Sequence, residues 1–391
     1  MVKLPPHELY REKKRRMIDS GLGSVVVAGG GIIGSGIAFE LAKRGIPVTL
    51  VERGRIGGEA SWASAGVISL PTRPWFKPER VELGRISLER YPALVAELEE
   101  RTGLAIDYRR PGEWVIAVDE EHAEAERAVA SWQRGMGLDV ADVPPAVARQ
   151  TEPALPESLV AAWFHPNVGS LSVYRLTQAL AAAARQLGAT VLEETPVGGL
   201  LREGSRVVGV RLQDRDLHAD TTVLATGAWT RLLGDSLGVT LPTKPVKGQL
   251  IAFANAPIRP ACVISGHGGY VRPRPDGTTM VAATEEDVGF DRRVTGDGIA
   301  WLLGLTRTLC PVLLQGEVAE TWTGLRPGSE TGDPLIGPVP GYEGLWVSAG
   351  HFRTGAKEAP ATAMLVAEAL ASGEPPPLLA AFAPTAQEVG A

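Results

Sequence analysis

The stretch Gly29-Gly30-Gly31-Ile32-Ile33-Gly34 decides the fold, because it fits G-x-G-x-x-G between a predicted strand and a predicted helix. The apolar run Val25–Ala28 predicts a buried strand before it, and the spacing of Ile33, Ile37 and Leu41 predicts a helix after it. A second strand, Pro47–Val51, ends at Glu52, 18 residues beyond Gly34. This order of elements predicts a Rossmann-like α/β domain that binds a dinucleotide.

Each residue of this motif has a physical role in such a site. Gly29 permits the tight turn, Gly31 lets the backbone approach a pyrophosphate, and Gly34 lets the helix pack closely on the strand. The N–H groups that open the helix, at Ile32 and Ile33, favour negative charge together with the helix dipole. Glu52 can accept a ribose hydroxyl, and Arg53 is the next residue in the chain. The motif leaves FAD and NAD open as the dinucleotide.

Composition excludes several classes of protein. The 391 residues are 44% hydrophobic and 21% charged, which suits a globular chain of two or three domains. The formal net charge of -6 offers no basic excess for nucleic acid, so no nucleic-acid partner is expected. The two cysteines, Cys262 and Cys310, exclude a disulfide framework and a cysteine-based metal site. We predict no bound metal.

The N-terminal region could be mistaken for a targeting segment. A basic stretch at 11–16 precedes an uncharged run at 20–39, as in a signal peptide or a membrane span. The run is rich in glycine, and strand, turn and helix account for it, so we reject both readings. Residues 1–23 are interpreted as a polar leader, and the protein is expected to be cytoplasmic, without a membrane partner.

Further motifs carry a resemblance to a known family. The segment 57–67 is small and hydroxyl-rich, and 321–328, 333–337 and 349–355 read TWTGLRPG, DPLIG and AGHFRTG. On these residues the chain resembles the D-amino acid oxidase superfamily of flavoproteins, and within it the glycine oxidases of the thiamine pathway. The resemblance covers nearly the whole chain after residue 23. It implies FAD as the cofactor.

The resemblance also implies the residues that contact FAD. The 57–67 segment would run toward the flavin, and Val197 would meet the adenine through its backbone. A helix is expected to begin near Glu358, with Pro360 in its first turn, and to point its N-terminus at the flavin, where its dipole stabilises negative charge. His351 is interpreted as a structural neighbour of the flavin rather than a base. The implied cofactor-binding residues are Gly29, Gly31, Ile32, Ile33, Gly34, Glu52, Arg53, Ala60, Ser61, Ala65, Gly66, Val67, Val197, Gly227, His351, Phe352, Thr354, Gly355, Ala356 and Lys357.

The substrate site is likewise implied by the resemblance. Arg326 would pair with the substrate carboxylate, since a guanidinium can donate two parallel hydrogen bonds. Arg353 and Tyr270 match family residues that line the same site. Gly268 and Ser265 stand where the family can carry larger side chains, so we expect a wider pocket.

Two further positions, Glu285 and Lys357, each allow two interpretations of their role. Glu285 suits either a substrate ammonium or a solvated loop. Lys357 departs from the usual apolar residue, and it either adds positive charge to the site or points to solvent.

The predicted architecture is α/β, more fully an α+β two-domain chain. A Rossmann-like FAD-binding domain of residues 24–81, 166–245 and 325–391 would carry an inserted antiparallel-sheet substrate-binding domain of residues 82–165 and 246–324. The predicted function is FAD-dependent oxidation of glycine, sarcosine or small D-amino acids by O2. The FAD is expected to be non-covalent, because no cysteine lies near 324–337, and the resemblance implies a homotetramer. The alternatives are a D-amino acid dehydrogenase with another electron acceptor and an FAD-binding subunit of a multi-enzyme complex.

Overall fold

The computed structural model describes residues 23–70, 73–236 and 238–385, so the predicted leader lies outside the described residues except for Gly23. Its strands, in chain order, are β1 (Val25–Ala28), β2 (Val48–Val51), β3 (Val67–Ile68), β4 (Glu113–Ala117), β5 (Ala141–Val143), β6 (Ala161–His165), β7 (Gly169–Ser170), β8 (Thr190–Leu192), β9 (Gly199–Glu203), β10 (Arg206–Arg211), β11 (Asp216–His218), β12 (Thr221–Leu224), β13 (Thr243–Ala254), β14 (Val263–Gly266), β15 (Gly269–Pro273), β16 (Thr279–Ala282), β17 (Glu317–Ser329), β18 (Leu335–Pro338) and β19 (Leu345–Ala349).

The α-helices of the same residues are α1 (Ile32–Lys43), α2 (Ala60–Ala63), α3 (Pro78–Thr102), α4 (Glu120–Gly135), α5 (Pro145–Thr151), α6 (Val173–Gln186), α7 (Thr230–Asp235), α8 (Gly296–Leu309), α9 (Gly355–Ser372) and α10 (Pro377–Ala380). Short 3-10 turns lie at Gly227–Trp229 and Pro311–Gln315.

The nucleotide-binding half is built on a six-stranded sheet of order β18-β19-β12-β1-β2-β8. Its strands are parallel except β18, which runs antiparallel to β19. The central strand β1 is buried along its whole length, as its four apolar residues predict. Helices α1, α6 and α9 supply much of the apolar core that covers the sheet. The predicted Rossmann-like unit is therefore present.

The second half is an eight-stranded sheet of order β17-β13-β16-β15-β14-β4-β6-β5. All its pairs are antiparallel except β14 with β4. The long strands β13 and β17 pair over most of their length, with Gly248 opposite Gly324. They cross the expected domain boundaries at 245/246 and 324/325 without a break, so the two halves share continuous strands.

The packing of helix α3 affects where the boundary of the inserted segment should be drawn. Its residues Leu83, Tyr91 and Leu98 are fully buried in the same core as β1 and α1. On this packing we propose that the helix goes with the nucleotide-binding half, although its residues from 82 onward were expected in the other domain. The predicted boundary at 82 would then move to the end of the helix, near Gly103.

Helix α9 starts earlier than expected. It begins at Gly355 rather than near Glu358, so Pro360 lies inside the helix and not in its first turn. A proline there cannot donate to the carbonyl of Ala356. The Tyr91 hydroxyl donates a hydrogen bond to that carbonyl, and Ser87 Oγ accepts one from the Ala361 N–H at 3.0 Å. Side chains of α3 thus replace the backbone hydrogen bonds that are lost at Pro360, and α9 continues past this proline.

The sequence predicts a strand over residues 190–197, and the strand in the structure is shorter. Strand β8 ends at Leu192, and the chain then leaves the edge of the sheet. The Thr195 N–H donates to the carbonyl of Glu52 at 2.8 Å, which directs residues 193–197 across the end of β2. Val197 therefore lies in a loop beside the predicted nucleotide site rather than in a strand.

Candidate active site

The glycine motif has the close contacts that its sequence predicts. Gly29 has φ of 107°, a left-handed conformation that glycine adopts without strain. A β-carbon on Gly34 would overlap the carbonyl of Gly29, so α1 can approach β1 only with glycine there. A β-carbon on Gly31 would meet only the Ser61 hydroxyl oxygen, at 3.6 Å. The backbone at Gly31 is therefore open on the side where a pyrophosphate would lie.

Glu52 and Ser61 hold this loop in place. The Glu52 carboxylate accepts hydrogen bonds from the N–H groups of Gly30 (2.7 Å) and Gly54 (2.9 Å). Ser61 Oγ accepts from the N–H of Ile32 at 3.0 Å, so it caps the first turn of α1. Glu52 was predicted to accept a ribose hydroxyl, and that role stays a prediction. In the structure it also fixes the shape of the phosphate loop.

Arg53 forms an aromatic contact that the sequence reasoning missed. Its guanidinium carbon lies 3.7 Å from the ring centroid of Trp229, and its Nη2 lies 2.6 Å from Glu59 Oε1. Trp229 ends the stretch Thr226-Gly227-Ala228-Trp229, which resembles an FAD-contacting region of the family, but the sequence did not predict its contact with Arg53. The stacked pair forms one end of the nucleotide cavity.

The cavity in front of the motif has a volume of about 310 Å³. It collects most of the predicted cofactor residues: Gly29, Gly31, Ile32, Ile33, Glu52, Arg53, Ala60, Ser61, Val197, Gly227, His351, Phe352, Gly355 and Ala356. The remaining ones, Ala65, Gly66, Val67, Thr354 and Lys357, line a larger neighbouring cavity, while Gly34 lies behind the loop at the strand–helix contact.

Two buried polar atoms support a bound cofactor. His351 Nδ1 and Ser348 Oγ have no hydrogen-bond partner among the described residues, and both residues line the nucleotide cavity. Buried polar groups in proteins are nearly always paired, so a ligand in this cavity would supply the hydrogen-bond partners that these two atoms lack. Burial lowers the pKa of His351 to about 3, which keeps its ring neutral. The residues present fit FAD, and a neutral His351 fits a structural neighbour of the flavin.

The larger cavity has a volume of about 1290 Å³ and lies against the eight-stranded sheet, with residues of α3 and of the start of α9 on its other walls. It meets the nucleotide cavity at a shared wall, formed by Ala60, Ser64, Pro327, Phe352, Arg353 and Ala356. The predicted substrate residues Arg326, Arg353 and Tyr270 all line it. Ser265 and Gly268, expected to widen the pocket, line it as well.

Arg326 lies on β17, and its side chain is held by two backbone carbonyls of neighbouring segments. Its Nη1 donates to the carbonyls of Thr284 (3.0 Å) and Lys247 (3.4 Å). A β-carbon on Gly248 would lie 2.5 Å from Arg326 Nη2, so only glycine leaves room for the guanidinium. Burial lowers the pKa of Arg326, and no carboxylate of the described residues lies within 4.0 Å of it. The site therefore presents a partly buried cation that can bind an anionic group.

Tyr270 and Arg353 line the same cavity as this cation. Burial raises the pKa of the Tyr270 hydroxyl, so it stays protonated and can donate. Arg353 is about half exposed and forms an ion pair with Glu285. The structure thus places Glu285 in the cavity and gives it a partner within the protein. Only Nη2 of Arg353 contacts Glu285, so Nε and Nη1 can still donate to a substrate carboxylate.

Lys357 lies in the larger cavity and does not extend into solvent. Its Nζ donates to Ser69 Oγ at 2.6 Å, and the side chain is half-buried. Burial lowers the pKa of its ammonium group. Of the two readings of this residue, the structure supports positive charge added to the site.

A buried ion pair supports the loop that carries these residues. Arg80 Nε donates to Glu358 Oε1 at 2.8 Å, and the two side chains are 3% and 0% exposed. Arg80 also donates to Thr354 Oγ1 and to the carbonyl of Gly332, both at 2.7 Å. Sequence reasoning missed this pair, because its partners are 278 residues apart and neither lies in a motif.

A group of possible metal ligands was also missed. Ligand atoms of Asp119, His122 and His267 lie within 4.8 Å of one another. However, His267 Nε2 accepts a hydrogen bond from the Val118 N–H at 3.2 Å, which assigns the proton of a neutral ring to Nδ1. Nδ1 then lacks a free lone pair toward Asp119 and His122. The prediction of no bound metal stays a prediction.

Fold and site define a dinucleotide-binding enzyme with a cation beside its cofactor cavity, and the comparisons specify the family. The family model described as FAD dependent oxidoreductase (DAO) matches residues 24–369, and the chain belongs to this family. A glycine oxidase of Pseudomonas aeruginosa is 38% identical over 353 residues, covering 90% of this chain and 95% of the relative. A hydrogen cyanide synthase subunit, HcnC, of the same species is 32% identical, with 88% and 91% covered.

A solved structure agrees in fold. The crystal structure of glycine oxidase from Geobacillus kaustophilus has a TM-score of 0.86 at 35% identity, and covers 93% of this chain and 98% of that one. The predictions of the D-amino acid oxidase family, of an FAD-dependent amino acid oxidase and of FAD rather than NAD are confirmed. Among the described residues, no helix is both long and apolar enough to cross a membrane.

Proposed function

We propose that the protein catalyses the oxidative deamination of glycine and other small amino acids, with O2 as the electron acceptor. The observation that carries the proposal is the partly buried Arg326, which lacks a carboxylate partner among the described residues and lines a cavity that adjoins the cofactor cavity. A small amino acid supplies the missing carboxylate. The similarity to glycine oxidases supports glycine as one substrate.

Each residue has a defined task in this reaction. Arg326 would bind the substrate carboxylate through its two terminal nitrogens, and the Tyr270 hydroxyl would donate to the same group. FAD supplies, when bound, the acceptor for the Cα hydride. Because orientation is the main requirement, no side-chain base is needed, and the site has to admit the amine in its neutral form. The nearby cations Arg326 and Arg353 favour that form, since they disfavour a second positive charge.

The overall reaction balances with water and oxygen. Glycine, O2 and water would give glyoxylate, ammonia and hydrogen peroxide, and sarcosine would give methylamine in place of ammonia. Small D-amino acids would give the corresponding 2-oxo acid. By the family resemblance we further propose that the reaction serves thiazole formation in thiamine biosynthesis, in the cytoplasm, by a homotetramer.

The test is a substrate panel with the purified protein. Glycine, sarcosine and D-alanine are supplied under air, and oxygen consumption and peroxide are followed. We expect turnover with one peroxide per oxygen consumed. Turnover only with an added dye acceptor would instead identify a dehydrogenase.

A second candidate function is a catalytic subunit of a larger complex. The similarity to the subunit HcnC favours it. Turnover of glycine by the isolated chain, at a rate unchanged by a cell extract, would exclude this alternative. No turnover alone, followed by activity in the extract, would support it.

A further inference from the structure

The cations of the larger cavity differ in whether they have a partner. Arg73 pairs with Glu126, Lys77 with Asp333, Arg80 with Glu358, Arg85 with Glu82 and Glu89, and Arg353 with Glu285. The other two, Arg326 and Lys357, have no carboxylate within 4.0 Å among the described residues. One small amino acid with a single carboxylate can neutralise only one of them.

Lys357 is positioned as a binding group. It is the third residue of α9, and its ammonium group is held by the hydrogen bond to Ser69 Oγ at 2.6 Å. Among the carboxylates that act on it, Glu113 has the largest effect, but it lies beyond ion-pair distance. An ammonium group held in this way keeps further N–H donors for an incoming anion. Its partial burial strengthens a contact with such an anion, because the local dielectric is low.

We propose that Lys357 forms a second anion subsite, and that the preferred substrates are small amino acids with a second carboxylate, carried on the nitrogen or on the side chain. This inference rests on the proposed function, because Arg326 must take the first carboxylate. The larger cavity has a volume of about 1290 Å³, of which bound FAD would fill a part, and the small residues Ser265 and Gly268 on its wall favour room for the longer molecule.

Iminodiacetate illustrates the reaction. The hydride leaves one methylene carbon, and the resulting C=N bond is hydrolysed by water. The products are glyoxylate and glycine, while O2 takes up two electrons and two protons and becomes hydrogen peroxide. The second carboxylate is unchanged, so Lys357 acts in binding and orientation alone.

Binding is tested with two acids that cannot be oxidised at nitrogen. Oxydiacetate and methoxyacetate have the same chain and differ by one carboxylate. Their Kd values for the holoenzyme are measured from the change in the visible flavin spectrum. We expect the wild type to bind oxydiacetate about tenfold or more tightly than methoxyacetate. Equal affinities would overturn the proposal without any variant.

The variant Lys357→Met removes the charge and keeps the length of the side chain. It is expected to raise the Kd of oxydiacetate about tenfold and that of methoxyacetate less than about twofold. Lys357→Arg should restore most of the difference between the two Kd values. Lys77→Met is the matched control, because this lysine of the same cavity already pairs with Asp333 at 2.7 Å. An unchanged ratio of the two Kd values in Lys357→Met would overturn the proposal.

Turnover separates this proposal from the proposed function. The ratio of kcat/KM for iminodiacetate to that for sarcosine should fall about tenfold in Lys357→Met, because the variant removes the partner of the second carboxylate alone. An equal loss for both would overturn the subsite and leave amino acid oxidation intact. No oxidation of any amino acid by the wild type would refute the proposed function, and the two Kd values would still test the subsite.

Discussion

The guanidinium of Arg326 occupies the space that a side chain at Gly248 would fill. The two residues lie on the paired strands β17 and β13, and a β-carbon at 248 would be 2.6 Å from Nη1 and 2.5 Å from Nη2. The charge therefore lies against backbone, held by two carbonyl oxygens. Its direction is set by the strand pairing rather than by a loop.

Replacing Gly248 with Ala is expected to displace Arg326 and leave the fold intact. A shift of about 1 Å in a group that orients the substrate can cost on the order of a hundredfold in rate, so we expect kcat/KM for glycine to fall about ten- to a hundredfold. Steady-state kinetics and FAD content measure the effect. Gly304→Ala is the control, since a β-carbon there meets nothing within 4 Å. Equal activities of the two variants would contradict the prediction.

Replacing Arg326 with Ala removes the carboxylate partner itself. We expect kcat/KM for glycine to fall by on the order of a hundredfold or more, with FAD still bound. Arg326→Lys should recover only part of the loss, because an ammonium group cannot form the two parallel bonds. Arg215→Ala, at an exposed pair with Asp214, serves as the control. A change below about threefold would show that another residue binds the carboxylate.

FAD is expected to be bound without a covalent link. Neither Cys262 nor Cys310 lines the nucleotide cavity or the larger cavity, and burial raises the pKa of both thiols. Acid precipitation of the purified protein should leave the yellow colour in the supernatant. A yellow pellet after repeated washing would refute the prediction.

His351 should make the stability of the protein depend on pH. Its pKa is about 3 in the native state and about 6.5 in an unfolded chain. As the pH falls below about 6.5, His351 is protonated in the unfolded chain but stays neutral in the native state, so the free energy of unfolding decreases as the pH is lowered. The Tm of the holoenzyme should therefore fall less between pH 7 and pH 5 in His351→Gln than in the wild type. His218→Gln, on an exposed strand, should follow the wild type; identical slopes for all three proteins would argue against this role.

The width of the pocket can be tested at Ser265. We expect the wild type to oxidise sarcosine and D-alanine beside glycine, and not L-alanine. Ser265→Leu narrows the cavity and should lower kcat/KM for D-alanine several-fold more than for glycine, since the fit of one methyl group is worth about 1–3 kcal/mol. A peroxide assay of the four substrates measures this. Equal losses for glycine and D-alanine would place Ser265 outside the substrate-contacting wall.

Local sequence patterns predicted the nucleotide loop well. Gly29, Gly34 and Glu52 act through backbone turns and close contacts that a short segment determines by itself. The role of Val197 was harder to place, because the end of β8 depends on a hydrogen bond from Thr195 to Glu52, far away in sequence. The strand was predicted to continue to Val197, whereas the sheet ends it at Leu192.

The pairing of charges could not be predicted from the sequence. Lys357 had two equal readings, because neither Ser69 nor the partners of the other cations can be inferred without the fold. Gly248 gave no signal, since a glycine inside a strand usually marks a bulge or a close approach of unknown origin. The start of α9 was misplaced for a similar reason: Tyr91, which stabilises the helix around Pro360, belongs to a distant segment.

The walls of the nucleotide cavity come from opposite ends of the described chain. Gly29 and Gly31 are among its first residues, whereas Gly355 and Ala356 are contributed by α9. During synthesis the ribosome must release residues up to the end of α9 before these walls can meet. Loading of FAD is therefore expected to follow the synthesis of α9, and until then the nascent chain is free of cofactor and the apolar faces of α1 and α3 lack the helix that covers them.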